Sequence, residues 1–112
     1  MLPKKHRLPG YKILEVLKKG RKIQSPSFNL FILKPAQTET PTTLTIIIPK
    51  KLTKKAVLRN RTKRLFTEAI QVNLEKIPLG LEIILMAKAV FAEEKLQDIM
   101  PEVKNKLLEI SK

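Results

Sequence analysis

The sequence has no cysteine, no tryptophan and only one histidine, His6. The first absence excludes disulfides, thiolate zinc sites and cysteine nucleophiles. A lone histidine builds no two-histidine metal motif, and His6, set among cations, reads as a surface residue near phosphate. Aromatic residues make up 4% of the chain, so the core has to come mostly from Leu, Ile and Val. No apolar run reaches the roughly 20 residues of a membrane-spanning helix. The basic start MLPKKHRLPG is followed by no apolar signal core, so no secretion signal is expected. A reducing cytoplasm fits these absences. Paired carboxylates with an evident role, a glycine-rich phosphate loop and a nucleophile–base pair are all missing. The chain itself is expected to perform no chemistry.

Acids are also scarce. Ten Asp and Glu face 23 Lys and Arg, giving a formal net charge of +13 over 112 residues. Such an excess costs stability through self-repulsion, and a polyanion removes that cost. Nucleic acid is the first candidate partner and an anionic membrane surface the second. Hydrophobic residues make up 43% of the chain, which supports a folded single domain over residues 1–112.

Residues 1–10 read as an extended basic arm. A short helix is predicted from Tyr11, with Ile13, Leu14, Val16 and Leu17 as its apolar stripe. Lys18, Lys19 and Gly20 form its stop, with the glycine expected in the left-handed cap conformation. Phe28, Leu30 and Ile32 alternate with Asn29, Phe31 and Leu33, which is strand spacing, and Ser25–Pro26 marks a turn before them. PAQTETPTT is a polar loop. A second strand is predicted at 44–48 and a third at 81–87, the latter buried on both faces. A long helix between them is predicted from about Lys54 to about Glu75, capped by Thr53. Ile77, Pro78, Leu79 and Gly80 turn the chain. The last helix carries Leu96, Ile99, Met100, Val103, Leu107 and Ile110, and Pro101 is expected to kink or split it.

The long helix concentrates the charge. Lys50 and Lys51 precede it, and Lys54, Lys55, Arg59, Arg61, Lys63 and Arg64 follow with no acid until Glu68. Arg59 and Lys63 stand at i and i+4, with Asn60 and Arg64 as a parallel pair. Each cation pair at this spacing destabilises a helix by roughly 0.2–0.5 kcal/mol. A solvated helix would mix in glutamates, whereas a face beside phosphate would not. Arginine grips phosphate with two parallel bonds and lysine acts as a point charge. Composition does not choose between DNA and RNA. A basic ribosome-associated or DNA-binding module is the alternative.

The run KKAVLRNRTKRLFTEA resembles the hallmark of the bacterial ribonuclease P protein family, whose Arg-Asn-Arg-x-Lys-Arg core falls here on Arg59, Asn60, Arg61, Lys63 and Arg64. The flanking order is similar too. Arg7–Leu8 precedes a short helix ending at Gly20, an aromatic strand follows, and a later strand ends at Ala87–Lys88. The resemblance implies a small α/β (α+β) two-layer sandwich with a mixed sheet, in which the motif helix joins two parallel strands by a left-handed βαβ crossover. It also implies a non-catalytic subunit that binds a large catalytic RNA and the 5′ leader of precursor tRNA. That RNA removes the leader with its own magnesium ions.

By this resemblance Lys50, Lys51, Lys54, Lys55, Arg59, Asn60, Arg61, Lys63 and Arg64 face RNA. Ile13, Phe31 and Lys88 fall at a leader cleft between helix and sheet. For Phe31 two readings stand, a base-stacking surface and a core residue; Phe28, on the other strand face, reads as core. Lys88 reads as a leader-phosphate contact or a solvated residue. The chain departs from the family in four places. Ile13 cannot stack a base, Thr45 replaces a glycine, Pro49 replaces a small residue, and Thr67 replaces an arginine. One copy within the ribonucleoprotein is expected.

Overall fold

The computed structural model describes residues 6–34 and 41–110. The N-terminal part of the arm and most of the PAQTETPTT loop lie outside these residues. Four strands, β1 (Arg21–Gln24), β2 (Phe28–Leu33), β3 (Thr43–Ile47) and β4 (Glu82–Ala87), form one sheet in the order β1-β2-β4-β3. β2 runs antiparallel to both β1 and β4, and β3 is parallel to β4. The parallel pair is joined through α2 (Ala56–Val72), the unit that the sequence pattern requires. The other helices are α1 (Ile13–Lys19) and α3 (Leu96–Glu109).

Strand alternation sorts the sheet into two faces. Phe28, Leu30, Ile32, Leu44, Ile46, Ile83 and Leu85 pack with Leu65, Phe66, Ile70, Ile99, Val103 and Leu107 of α2 and α3 in the main core. Three of the four phenylalanines meet there. Phe66 stacks edge-on against Phe28 at 5.6 Å and lies tilted against Phe91 at 5.2 Å. The opposite face is covered only in part by short α1, whose Val16 packs with Leu8 and Ile84. Ile13, Leu17, Phe31 and Leu33 flank that smaller cluster.

β4 is buried on both faces as its apolar run predicts. β1 was not expected: RKIQ is polar and largely exposed, and only its antiparallel pairing with β2 makes it a strand. Ser25–Pro26–Ser27 is the hairpin turn.

Several local expectations are corrected. Gly20 follows α1 with φ −72° and ψ 153°, extended rather than left-handed. It is needed for space: an added Cβ would stand 2.5 Å from the Val16 carbonyl oxygen and 3.1 Å from that of Ile32. The only positive-φ glycine among the described residues is Gly80, at φ 77°, in the turn before β4. The first helix opens as a 3-10 turn at Gly10–Lys12. α2 starts at Ala56 behind Lys55, so Thr53 is not its cap; the Thr53 hydroxyl instead accepts the Lys55 N–H at 3.2 Å. α2 ends at Val72, where the buried Asn73 side chain donates to the Ala69 carbonyl at 2.8 Å, and a 3-10 turn Leu74–Lys76 follows. α3 runs through Pro101 without division. Proline removes one backbone donor there, and the burial of Ile99, Val103 and Leu107 holds the turns on either side.

The described part of the arm is tied down. The Leu8 N–H donates to the Leu44 carbonyl at 2.9 Å, and Arg7 pairs with Leu44 as a parallel bridge on the outer edge of β3. His6 Nδ1 lies 2.8 Å from the Thr42 carbonyl, so this half-buried histidine fastens the arm. Lys12 closes a 2.8 Å ion pair with buried Glu82 at the start of β4. The hydrogen bond and charge of Glu82 raise the Lys12 ammonium above its ordinary value.

Candidate nucleic-acid interface

α2 buries one stripe and exposes another. Thr62, Leu65, Phe66, Ala69 and Ile70 face the core, with Leu58 half-buried ahead of them. Exposed Asn60, Lys63 and Arg64 and buried Thr67, at i, i+3, i+4 and i+7, share the adjoining side. They line a groove of about 510 Å³ whose other wall is Leu44, Thr45 and Ile46 of β3 with Arg7 and Leu8 of the arm. Three motif residues thus meet the edge strand and the arm in one place. Thr45 and Thr67, both departures from the family pattern, add their residues to its lining. The signal for Thr67 was present in its spacing from Asn60 and Arg64; that for Arg7 and Thr45 was not, because it depends on strand pairing.

Among the described residues no carboxylate forms an ion pair with Arg59, Arg61, Lys63 or Arg64. Lys63 and Arg64 are exposed and Arg59 is half-buried. The positive face is therefore not neutralised from within. Lys50 and Lys51 lie in the turn after β3, closed by the Leu52 N–H to the Pro49 carbonyl at 3.1 Å, and Lys54 and Lys55 lead into α2. All four are exposed.

Arg61 departs from the ridge. It donates from Nη2 to the Glu94 carbonyl at 2.6 Å, while the neighbouring Thr62 hydroxyl, fully buried, accepts the Phe91 N–H at 2.8 Å. Together they brace the segment between β4 and α3 against the motif helix.

The three cleft candidates share the other sheet face. Ile13 and Phe31 are half-buried beside the small α1 cluster. Phe31 pairs across strands with Ile84 and with Lys22, whose Nζ sits 5.8 Å from the ring centroid. Lys88 is exposed just past β4, its N–H donating to the Ser27 carbonyl at 2.8 Å. A cation lies over one aromatic ring here, and a second stands at the strand end.

The sequence model of one protein family, Ribonuclease P, matches residues 2–111. The ribonuclease P protein component of Rippkaea orientalis is 32% identical over 111 residues, covering 96% of this chain and 87% of the relative. That of Picosynechococcus is 28% identical over 109 residues, covering 96% and 92%. Among solved structures, the RNase P protein of Staphylococcus aureus superposes with a TM-score of 0.78 at 26% identity, covering 97% of each chain. That of Thermotoga maritima shares the fold at a TM-score of 0.77 and 23% identity, over 93% of this chain and 96% of its own.

Proposed function

The chain belongs to the ribonuclease P protein family, and on that premise we propose that its α2–β3 groove docks the phosphate backbone of the ribonuclease P RNA. The family role is the 5′ maturation of tRNA, with the chain as protein subunit of a ribonucleoprotein endoribonuclease. The observation that supports the interface is the convergence of Asn60, Lys63 and Arg64 on one groove with no carboxylate paired to them. Lys50, Lys51, Lys54, Lys55 and Arg59 extend the positive surface, and Arg61 contributes charge from the side. The precursor's single-stranded leader would lie across the α1 face of the sheet, near Ile13, Phe31 and Lys88.

In this reading the RNA performs the hydrolysis, and its magnesium ions belong to it. Among the described residues no three His, Asp or Glu side chains gather to hold a metal ion. The protein's work is to place fixed cations between two polyanions, which strengthens substrate binding and eases the magnesium requirement. It acts as one copy per particle, in the cytoplasm. No helix among the described residues is long and apolar enough to cross a membrane.

Reconstitution tests the proposal. The chain is mixed with a bacterial ribonuclease P RNA and precursor tRNA at low magnesium, and 5′ cleavage is measured. Stimulation over RNA alone is expected; its absence rejects the reading. Replacing Lys63 and Arg64 by alanine should lower the salt slope of RNA binding by about 0.7–0.9 for each lost phosphate contact.

A further inference from the structure

The groove on α2 and the α1 face leave one strongly charged surface unused, the outer edge of β1. We propose that this edge carries the phosphates of the precursor's 5′ leader beyond the sheet face that holds Phe31. The proposal rests on the leader path given above and extends it.

Lys18, Lys19, Arg21 and Lys22 put four cations into five consecutive positions. All four are exposed, and among the described residues none forms an ion pair. β1 and β3 occupy opposite edges of the sheet. At the usual strand spacing the patch stands about 14 Å across the sheet from the motif groove, so RNA held on α2 does not account for it. A shallow groove of about 450 Å³ between β1 and α3 is lined by Arg21, Lys22, Gln24, Lys106 and Glu109 among others. Its one carboxylate, Glu109, is taken by Lys106 at 3.3 Å. Arg21 donates only a long 3.4 Å bond to the Ile110 carbonyl.

Two structural roles absorb part of this charge. Lysines suit the C-terminus of α1, and cations on an edge strand deter pairing with other chains. Neither role calls for four unpaired cations within five positions on a chain already at +13, where each addition raises self-repulsion. Phosphate removes that repulsion. The choice of the leader over the catalytic RNA follows from Lys22. It is the cross-strand partner of Phe31 and its ammonium stands over that ring. A strand lying on the Phe31 face and leaving sideways passes over Lys22; Arg21, the partner of core-facing Ile32, stands on the α3 side and is met only where the strand turns round the edge of β1.

The test uses the reconstituted holoenzyme and three ligands: precursor with a long leader, precursor with its leader trimmed to the few nucleotides next to the cleavage site, and mature tRNA. The double variant Arg21→Glu/Lys22→Glu keeps the edge charged but repels phosphate. It should weaken long-leader precursor and lower its salt slope by about 0.7 for each lost single-strand contact. Trimmed precursor, mature tRNA and the RNA subunit alone should bind as before. Arg21→Gln/Lys22→Gln should give a smaller loss, and Arg21→Lys/Lys22→Arg should bind like the unaltered protein. Unchanged affinity for the long leader, as a purely edge-protecting role requires, overturns the inference. So does an equal loss on trimmed precursor or on the RNA subunit. If the unaltered protein itself fails to favour the long leader, the leader path falls and this inference with it. If it does favour it and the reversed variant keeps that preference, only the β1 contact is rejected.

Discussion

The Glu102 carboxylate of α3 accepts the backbone N–H of Ser27 at 2.8 Å, and the same oxygen takes the hydroxyl of buried Ser25. One side chain thereby fastens the β1–β2 turn to a helix far along the chain. Burial pushes the carboxyl up, but the bonds from Ser25 and Ser27, with Lys106 nearby, outweigh it and hold the group below its ordinary value of 4.5. A depressed folded-state value means stability that is fully present above the ordinary value and is lost as pH falls through the folded one. Glu102→Gln should therefore lower Tm at neutral pH, with the gap to the unaltered protein closing in acid. Thermal melts across that range check it; a constant gap would show that the charge contributes nothing.

Gly20→Ala should destabilise the fold by about 1–3 kcal/mol, the usual cost of forcing an added group into a filled space. The obstacle is backbone, the Val16 and Ile32 carbonyls, so it cannot rotate aside. Urea unfolding measures the change. Because φ is already negative, an unaffected midpoint would mean that α1 shifts freely on the sheet.

Thr62→Val keeps the shape of a fully buried side chain but strands the Phe91 N–H. The expected loss is about 1–3 kcal/mol, the penalty for an unsatisfied buried donor. Hydrogen exchange at Phe91 should accelerate with it.

Arg61→Gln should lower the salt slope of RNA binding less than Arg64→Gln does. Its guanidinium is engaged with the Glu94 carbonyl, whereas Arg64 lines the groove. Equal slopes would place Arg61 on phosphate after all.

Phe31→Leu preserves packing beside the α1 cluster while removing the π-face. Stacking on a base is worth about 1–3 kcal/mol, so leader-bearing precursor should weaken by that order while mature tRNA and Tm stay nearly constant. Loss of Tm with no leader dependence would make Phe31 a core residue only.

Elements whose burial follows a simple period were legible in the sequence. β2, β4 and the apolar face of α3 fall where alternation, a continuous apolar run and helical spacing respectively put them, because transfer of those side chains from water dominates locally. β1 was not, since an edge strand of exposed polar residues carries no pattern of its own and exists through its partner. The role of Gly20 was not legible for a related reason: the sequence shows that a glycine is there but not which carbonyl crowds it.

By itself the sequence determined that this chain is a positively charged α/β protein whose motif helix carries six cations from Lys54 to Arg64 with no acid until Glu68, because charge count and residue order are local properties. Only the tertiary structure decided which motif residues share a groove. It turned Asn60, Lys63 and Arg64 toward β3 and the arm, and bent Arg61 to the Glu94 carbonyl. Those directions depend on pairings between residues far apart in the chain, and no local spacing contains them.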